Sequence, residues 1–144
     1  MSDLETELTA WCASYLEAIH AWDAAAVAAH WTYPALTTQA GQSFTFKSVD
    51  HFTKNTERLL SFYQSQTVAR VTRQLVSAQA LHDQAAIITT SDAMFTADEA
   101  RIAGWQAAYV LQRIDGDWKA VMGVADGESE AWAALGTRLG GSEG

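Results

Sequence analysis

Most of what would tie this chain to a disulfide scaffold, a metal or a polyanion is scarce in it. The one cysteine, Cys12, permits no internal disulfide, and with no neighbouring thiol it makes no thiolate metal cluster. It reads as a small buried hydrophobe within a helical stripe. The one proline, Pro34, follows Trp31-Thr32-Tyr33 and marks a place where helix must end. Nine Lys and Arg stand against seventeen Asp and Glu, for a formal charge of −8. The basic residues are few and scattered, so no face gathers the cations that nucleic acid or an anionic membrane would require. The carboxylates are spread along the chain and read as a solvated surface.

No apolar run approaches membrane-spanning length. The opening Met1-Ser2-Asp3-Leu4-Glu5 is acidic, where a secretory signal would be basic and then continuously apolar, so the expected compartment is the cytoplasm. There is no Gly-x-Ser-x-Gly elbow and no glycine-rich loop joining strand to helix. His20, His30, His51 and His82 stand at no ligand spacing. Neither a metal nor a cofactor is expected.

What the chain does have is an apolar fraction of 49% and six Trp, ample material for a core in 144 residues. The expectation is one α+β domain over 1–139 with a flexible tail over 140–144. Ser2 and Glu5 form a capping-box pattern, and Leu4, Leu8, Trp11, Tyr15, Ile19 and Trp22 follow at helical spacing. Asp23 caps a short Ala-rich helix through about Ala29. Two strand-like runs flank the turn signal Gln39-Ala40-Gly41-Gln42 and suggest a hairpin. Ser48 caps a third helix whose apolar positions are Val49, Phe52, Leu59, Leu60 and Tyr63.

From Thr67 to Asp126 the texture is β-branched and alternating, broken at His82-Asp83-Gln84, Thr96-Ala97-Asp98-Glu99 and Asp115-Gly116-Asp117. Four long strands in an antiparallel meander follow, and a short helix around Glu130 to Leu139 closes the chain. Helices first and a curved meander afterwards predict a cone-shaped antiparallel sheet packed against three N-terminal helices.

The order helix, helix, hairpin, helix, meander resembles the nuclear-transport-factor-2-like superfamily, with its SnoaL-like cyclases and ketosteroid isomerases. The local match is Ala108-Tyr109-Val110-Leu111-Gln112-Arg113-Ile114-Asp115-Gly116-Asp117-Trp118-Lys119, similar to the family's penultimate strand, acidic Gly turn and Trp-basic start of the last strand. The resemblance implies a cone with a pocket between the first helix and the concave sheet, in a homodimer. The isomerase members use a carboxylate base after the second helix, and an oxyanion hole of Tyr plus protonated Asp. Tyr15 matches the Tyr. Trp31-Thr32-Tyr33-Pro34 stands where the base is expected, and Tyr109-Val110-Leu111 where the second Asp should fall. Steroid-type isomerisation is therefore disfavoured. The cyclases' single strand Asp leaves an isolated carboxylate as an option.

Two carboxylates qualify as candidate catalytic residues. Asp92 shares a strand face with Ile88, Thr90 and Met94. If that face is concave it lies in the pocket as acid or base; if not, it is wet or paired with Arg70, Arg73 or Arg113. Asp126 follows the last strand, on the side of Trp118, Ala120, Met122 and Val124, at the rim of the cone or as an ordinary turn residue. Candidate ligand-binding residues are Trp11, Tyr15, His30, Trp31, Tyr33, Met94, Trp105 and Tyr109, which would wall a flat apolar or cyclic molecule. Three functions stay open: small-molecule binding, metal-independent proton transfer by an isomerase, cyclase or dehydratase, and a protein-interaction module with a filled cone.

Overall fold

The computed structural model describes residues 3–136. Ser2 of the capping box, the tail over 140–144 and Leu139 lie outside the described residues. Among the described residues four helices and six strands follow in the order α1 (Asp3–His20), α2 (Ala24–Ala28), β1 (Trp31–Gln39), β2 (Gln42–Phe46), α3 (Val49–Ser65), β3 (Arg70–His82), β4 (Ala85–Phe95), β5 (Arg101–Ile114), β6 (Asp117–Val124) and α4 (Asp126–Ala134).

Local chemistry sets the boundaries. Leu8, Trp11, Cys12, Tyr15, Ala18 and Ile19 form the buried stripe of α1, with the three- and four-residue spacing of a helix face turned to a core. The Asp23 carboxylate accepts from the Ala26 amide at 3.0 Å, and the Ser48 hydroxyl from the His51 amide at 3.2 Å, so each satisfies an orphan donor at a helix start. Val49 does not join the α3 core face: at the first turn it is 48% exposed. Asp115 and Gly116 both have positive φ, 51° and 87°, the pair of angles that a two-residue turn needs to follow the strand twist.

The strands make one sheet in the order β2-β1-β6-β5-β4-β3. It is mixed, not wholly antiparallel, because β1 runs parallel to β6. Hairpin turns force antiparallel pairing only on strands that are neighbours in sequence. Between β1 and β6 stand a hairpin strand, a helix and three long strands, so no turn constrains their directions. α1 lies across β3, α2 packs on α3, and α4 returns to β5 and the end of β1. The face of Ala86, Ile88, Thr90, Asp92 and Met94 on β4 is the buried, concave one.

A bulge in β6 changes one sequence expectation. Val110 pairs with Met122 and Leu111 with Ala120, so Val121 is an extra residue and the side-chain alternation flips there. Gly123, opposite Tyr109, is then the inward position after Ala120, while Met122 faces outward with Val110. Asp126 therefore does not continue the line of Trp118, Ala120, Met122 and Val124. It opens α4 and accepts from the Thr38 hydroxyl at 3.0 Å.

Candidate functional site

The interior of the cone is a contact cluster of rings. Trp11 and Tyr15 from α1 lie 5.6 and 6.4 Å, centroid to centroid, from Tyr109 on β5, and Trp31 from β1 lies 6.0 Å from the same ring. Trp31 and Tyr33 both pack on Phe52 of α3, at 4.8 and 5.7 Å. Gly123 makes room for this cluster, since a Cβ there would stand 2.9 Å from the Trp31 ring. Met94 is buried beside Asp92 on β4, and Trp105, the cross-strand partner of Asp92, is half-buried at the edge of the cluster.

Asp92 is on the concave face, and it is paired there with one of the three arginines weighed for the opposite face. Arg73, directly across the ladder on β3, places Nη2 2.9 Å from Oδ2 and Nε 3.2 Å from Oδ1. The two side chains are 7% and 1% exposed. Of the three arginines weighed as partners, Arg70 instead meets Glu99 and Arg113 meets Glu7. Arg73 also donates to the Tyr109 hydroxyl at 2.8 Å, and its guanidinium carbon lies 4.7 Å from the Tyr15 ring centre and 5.0 Å from that of Tyr109. Its remaining nitrogen, Nη1, is sealed without a hydrogen-bond partner among the described residues, against ring faces that favour a cation.

Two phenols in the cluster keep a proton to give. Tyr15 accepts from the Trp31 indole at 3.0 Å and Tyr109 accepts from Arg73, so neither hydroxyl has spent its own hydrogen on a described partner. Burial pushes both phenols above their ordinary range and keeps them protonated. His30 has a fixed tautomer. The Ala26 carbonyl, 2.8 Å from Nδ1, can only accept, so Nδ1 carries the proton and Nε2 accepts from the Ser14 hydroxyl at 2.8 Å. Burial lowers its pKa and keeps the ring neutral.

The residue that sequence reasoning missed is Glu128. It comes from α4, and its Oε2 accepts from the Tyr63 hydroxyl of α3 and from the Trp132 indole, the latter at 3.2 Å. Trp132 is itself fully buried, stacked on Tyr63 and edge-on to Phe62. Burial raises the Glu128 pKa to about 7, against the opposing pull of the two hydrogen bonds. The carboxylate also feels Asp92 and Arg73, and its charge is felt at Tyr15, Tyr63 and Tyr109. These side chains act on one another electrostatically across the interior of the cone, the candidate chamber. Gly127 seats α4 there, since a Cβ at that position would stand 2.6 Å from the Gln106 carbonyl oxygen.

The cluster is closely packed, and Trp105, Tyr109 and Glu128 at its edge are each half-buried. Two clefts lie on the helical side. One, of about 700 Å³, runs over Lys54, Glu57, Arg58, Ser61 and Phe62. The other, of about 560 Å³, lies between Ala21–Ala25 and α3. No group of three or more potential metal ligands occurs among the described residues, and none of their helices is long and apolar enough to cross a membrane.

A family profile described as NTF2-like protein (DUF6841) matches residues 6–128. Among solved structures, Aln2 from a Streptomyces species superposes with a TM-score of 0.69 at 14% identity, covering 86% of this chain and 90% of that one. An NTF-2 like protein of unknown function from Shewanella oneidensis gives 0.67 at 11% identity, covering 83% and 95%. A ketosteroid isomerase-like protein from Erwinia carotovora atroseptica gives 0.64 at 15% identity, covering 86% and 95%. At these identities the likeness is one of fold. No functionally curated protein matches the sequence.

Proposed function

The chain belongs to the NTF2-like family DUF6841, and from that premise we propose that it is a small-molecule-binding domain whose ligand, an apolar or cyclic compound, sits at the α4 end of the cone. The observation that supports this reading is the make-up of the ring cluster. Rings from α1, β1 and β5 surround two phenols with unspent protons, beside a carboxyl held near neutrality. Apolar walls with a few convergent polar groups are the usual make-up of a ligand site.

Proton transfer without a metal is the second reading, and Glu128 favours it. Asp92 has both oxygens held by Arg73 and Asp126 is engaged at the start of α4. Glu128 combines a pKa raised to about 7 by burial with an Oε1 that no described residue holds, and Tyr15 and Tyr109 would serve as donors to a substrate oxygen. A homodimer is proposed through the outer sheet face. There Leu36, Met122, Val110 and Ile87 stand side by side across four strands, and Ile87 is 36% exposed. The lone buried Cys12 fits a reducing cytoplasm.

A thermal-shift panel of neutral ring compounds tests the binding reading. A ligand at about 100 times its Kd adds about 2.7 kcal/mol of stability. A panel without a single stabilising compound would remove the reading.

A further inference from the structure

The two oxygens of Glu128 are treated differently by the fold. Oε2 takes both protein hydrogen bonds, from the Tyr63 hydroxyl and the Trp132 indole. Oε1 has no partner among the described residues and is not among the polar atoms sealed from solvent. A carboxyl proton avoids the oxygen that already accepts two donors, so in the neutral acid the hydrogen sits on Oε1. The same atom is thus an O–H donor when Glu128 is protonated and a bare acceptor when it is ionised.

The groups around it set which ligands can approach. Tyr63 from α3 bonds the carboxyl directly, and Tyr15 from α1, Arg73 from β3, Asp92 from β4 and Tyr109 from β5 interact with it through space. Arg73 and Asp92 neutralise each other at 2.9 Å, leaving no surplus positive charge to hold an anion. With Glu128 ionised the chamber is negative by one charge, and a carboxylate or phosphate ligand is repelled. Tyr15 and Tyr109 remain as donors toward a ligand oxygen. A hydroxyl on a ring satisfies both kinds of group, accepting from a phenol and donating to Oε1.

We propose that Glu128 Oε1 is the ligand-reading atom of the chamber, taking a hydroxyl or similar donor on a neutral ring compound when ionised, and an ether or carbonyl oxygen when protonated. The proposal rests on the binding reading above and adds the chemical class of the ligand. The exchange between the two preferences falls near neutrality, because burial holds the carboxyl at about 7.

Three probes separate the possibilities: 2-naphthol, which can donate; 2-methoxynaphthalene, which can only accept; and 2-naphthoate, an anion. Their affinities are measured by calorimetry or fluorescence with the whole chain at about pH 5.5 and about pH 8.5, on either side of the Glu128 transition. The ratio of 2-naphthol to 2-methoxynaphthalene affinity should rise about ten-fold between the two, the worth of one hydrogen bond to a charged acceptor. Glu128→Gln should leave the ratio independent of pH, and 2-naphthoate should bind the weakest of the three at the higher pH. A flat ratio in the unsubstituted protein, a ratio that still changes in Glu128→Gln, or tight 2-naphthoate binding would overturn the assignment while leaving the binding reading in place. Absence of binding by all three would overturn both. If Glu128→Gln does not fold, the pH series on the unsubstituted protein decides alone.

Discussion

Arg73 and Asp92 face each other directly across the β3–β4 ladder as an ion pair at 2.9 Å, with side chains only 7% and 1% exposed. A pair this deep has repaid a large desolvation cost only because both partners are present. Asp92→Ala strands the Arg73 charge and should destabilise the protein by about 3–5 kcal/mol in urea unfolding. The double replacement Arg73→Met with Asp92→Leu should recover most of that loss, since no buried charge is left. A double variant as unstable as Asp92→Ala would mean that the pair's neighbours, not the stranded charge, set the cost.

Glu128 gives stability a pH dependence of opposite sign to that of a paired carboxylate. Its folded pKa is raised from 4.5 to about 7, so between those values the folded state holds a proton that the unfolded chain has released. Stability falls as pH rises through that window, and the loss is complete above it. Glu128→Gln mimics the neutral acid and should be more stable than the parent at about pH 8 by on the order of 2 kcal/mol, with little difference at about pH 4. Urea unfolding of both proteins across pH checks this, and parallel profiles would show that Glu128 does not titrate in the folded chamber.

Gly127 is the contact on which α4 closes. Gly127→Val puts side-chain atoms against the Gln106 carbonyl, where even a Cβ has only 2.6 Å. Moving α4 away should cost about 1–3 kcal/mol of stability through the forced shift and weaken ring-compound binding with it. The readouts are chemical denaturation and the naphthol affinity, which should fall together.

The outer-face ladder is tested by charge. Val110→Lys puts an ammonium between Ile87 and Met122 and should convert the dimer to monomer in light scattering, while the circular dichroism stays that of the parent. A parent protein that runs as a monomer at all concentrations would remove the dimer proposal.

The elements and caps were legible in the sequence because each rests on local chemistry. Asp23 and Ser48 cap as their side chains require, and Asp115-Gly116 turns as its backbone angles demand. The ring cluster was legible as well, since even spacing put Trp105 with Tyr109, and Trp31 with Tyr33, on common faces.

The parallel β1–β6 pair was not legible, because pairing between strands distant in sequence leaves no local mark. The bulge at Val121 hid the true side of Asp126, since one extra residue in a strand inverts every alternation after it. Glu128 went unread for a related reason. In sequence it is one more acid in an exposed-looking Asp126-Gly127-Glu128-Ser129-Glu130 run, and it is the seating of α4 on β5, with Tyr63 of α3 alongside, that half-buries it. The available signal was Trp132, four residues on and therefore on the same helix face.

Chemical-shift mapping of the protein with 2-naphthol tests the ligand chamber most directly. Perturbations should concentrate at Tyr15, Trp31, Trp105, Tyr109 and Glu128, the walls and mouth of the cone. Perturbations confined instead to Ala21–Ala25 and the facing Gln64 of α3 would place binding in the helical cleft and contradict the chamber as the site.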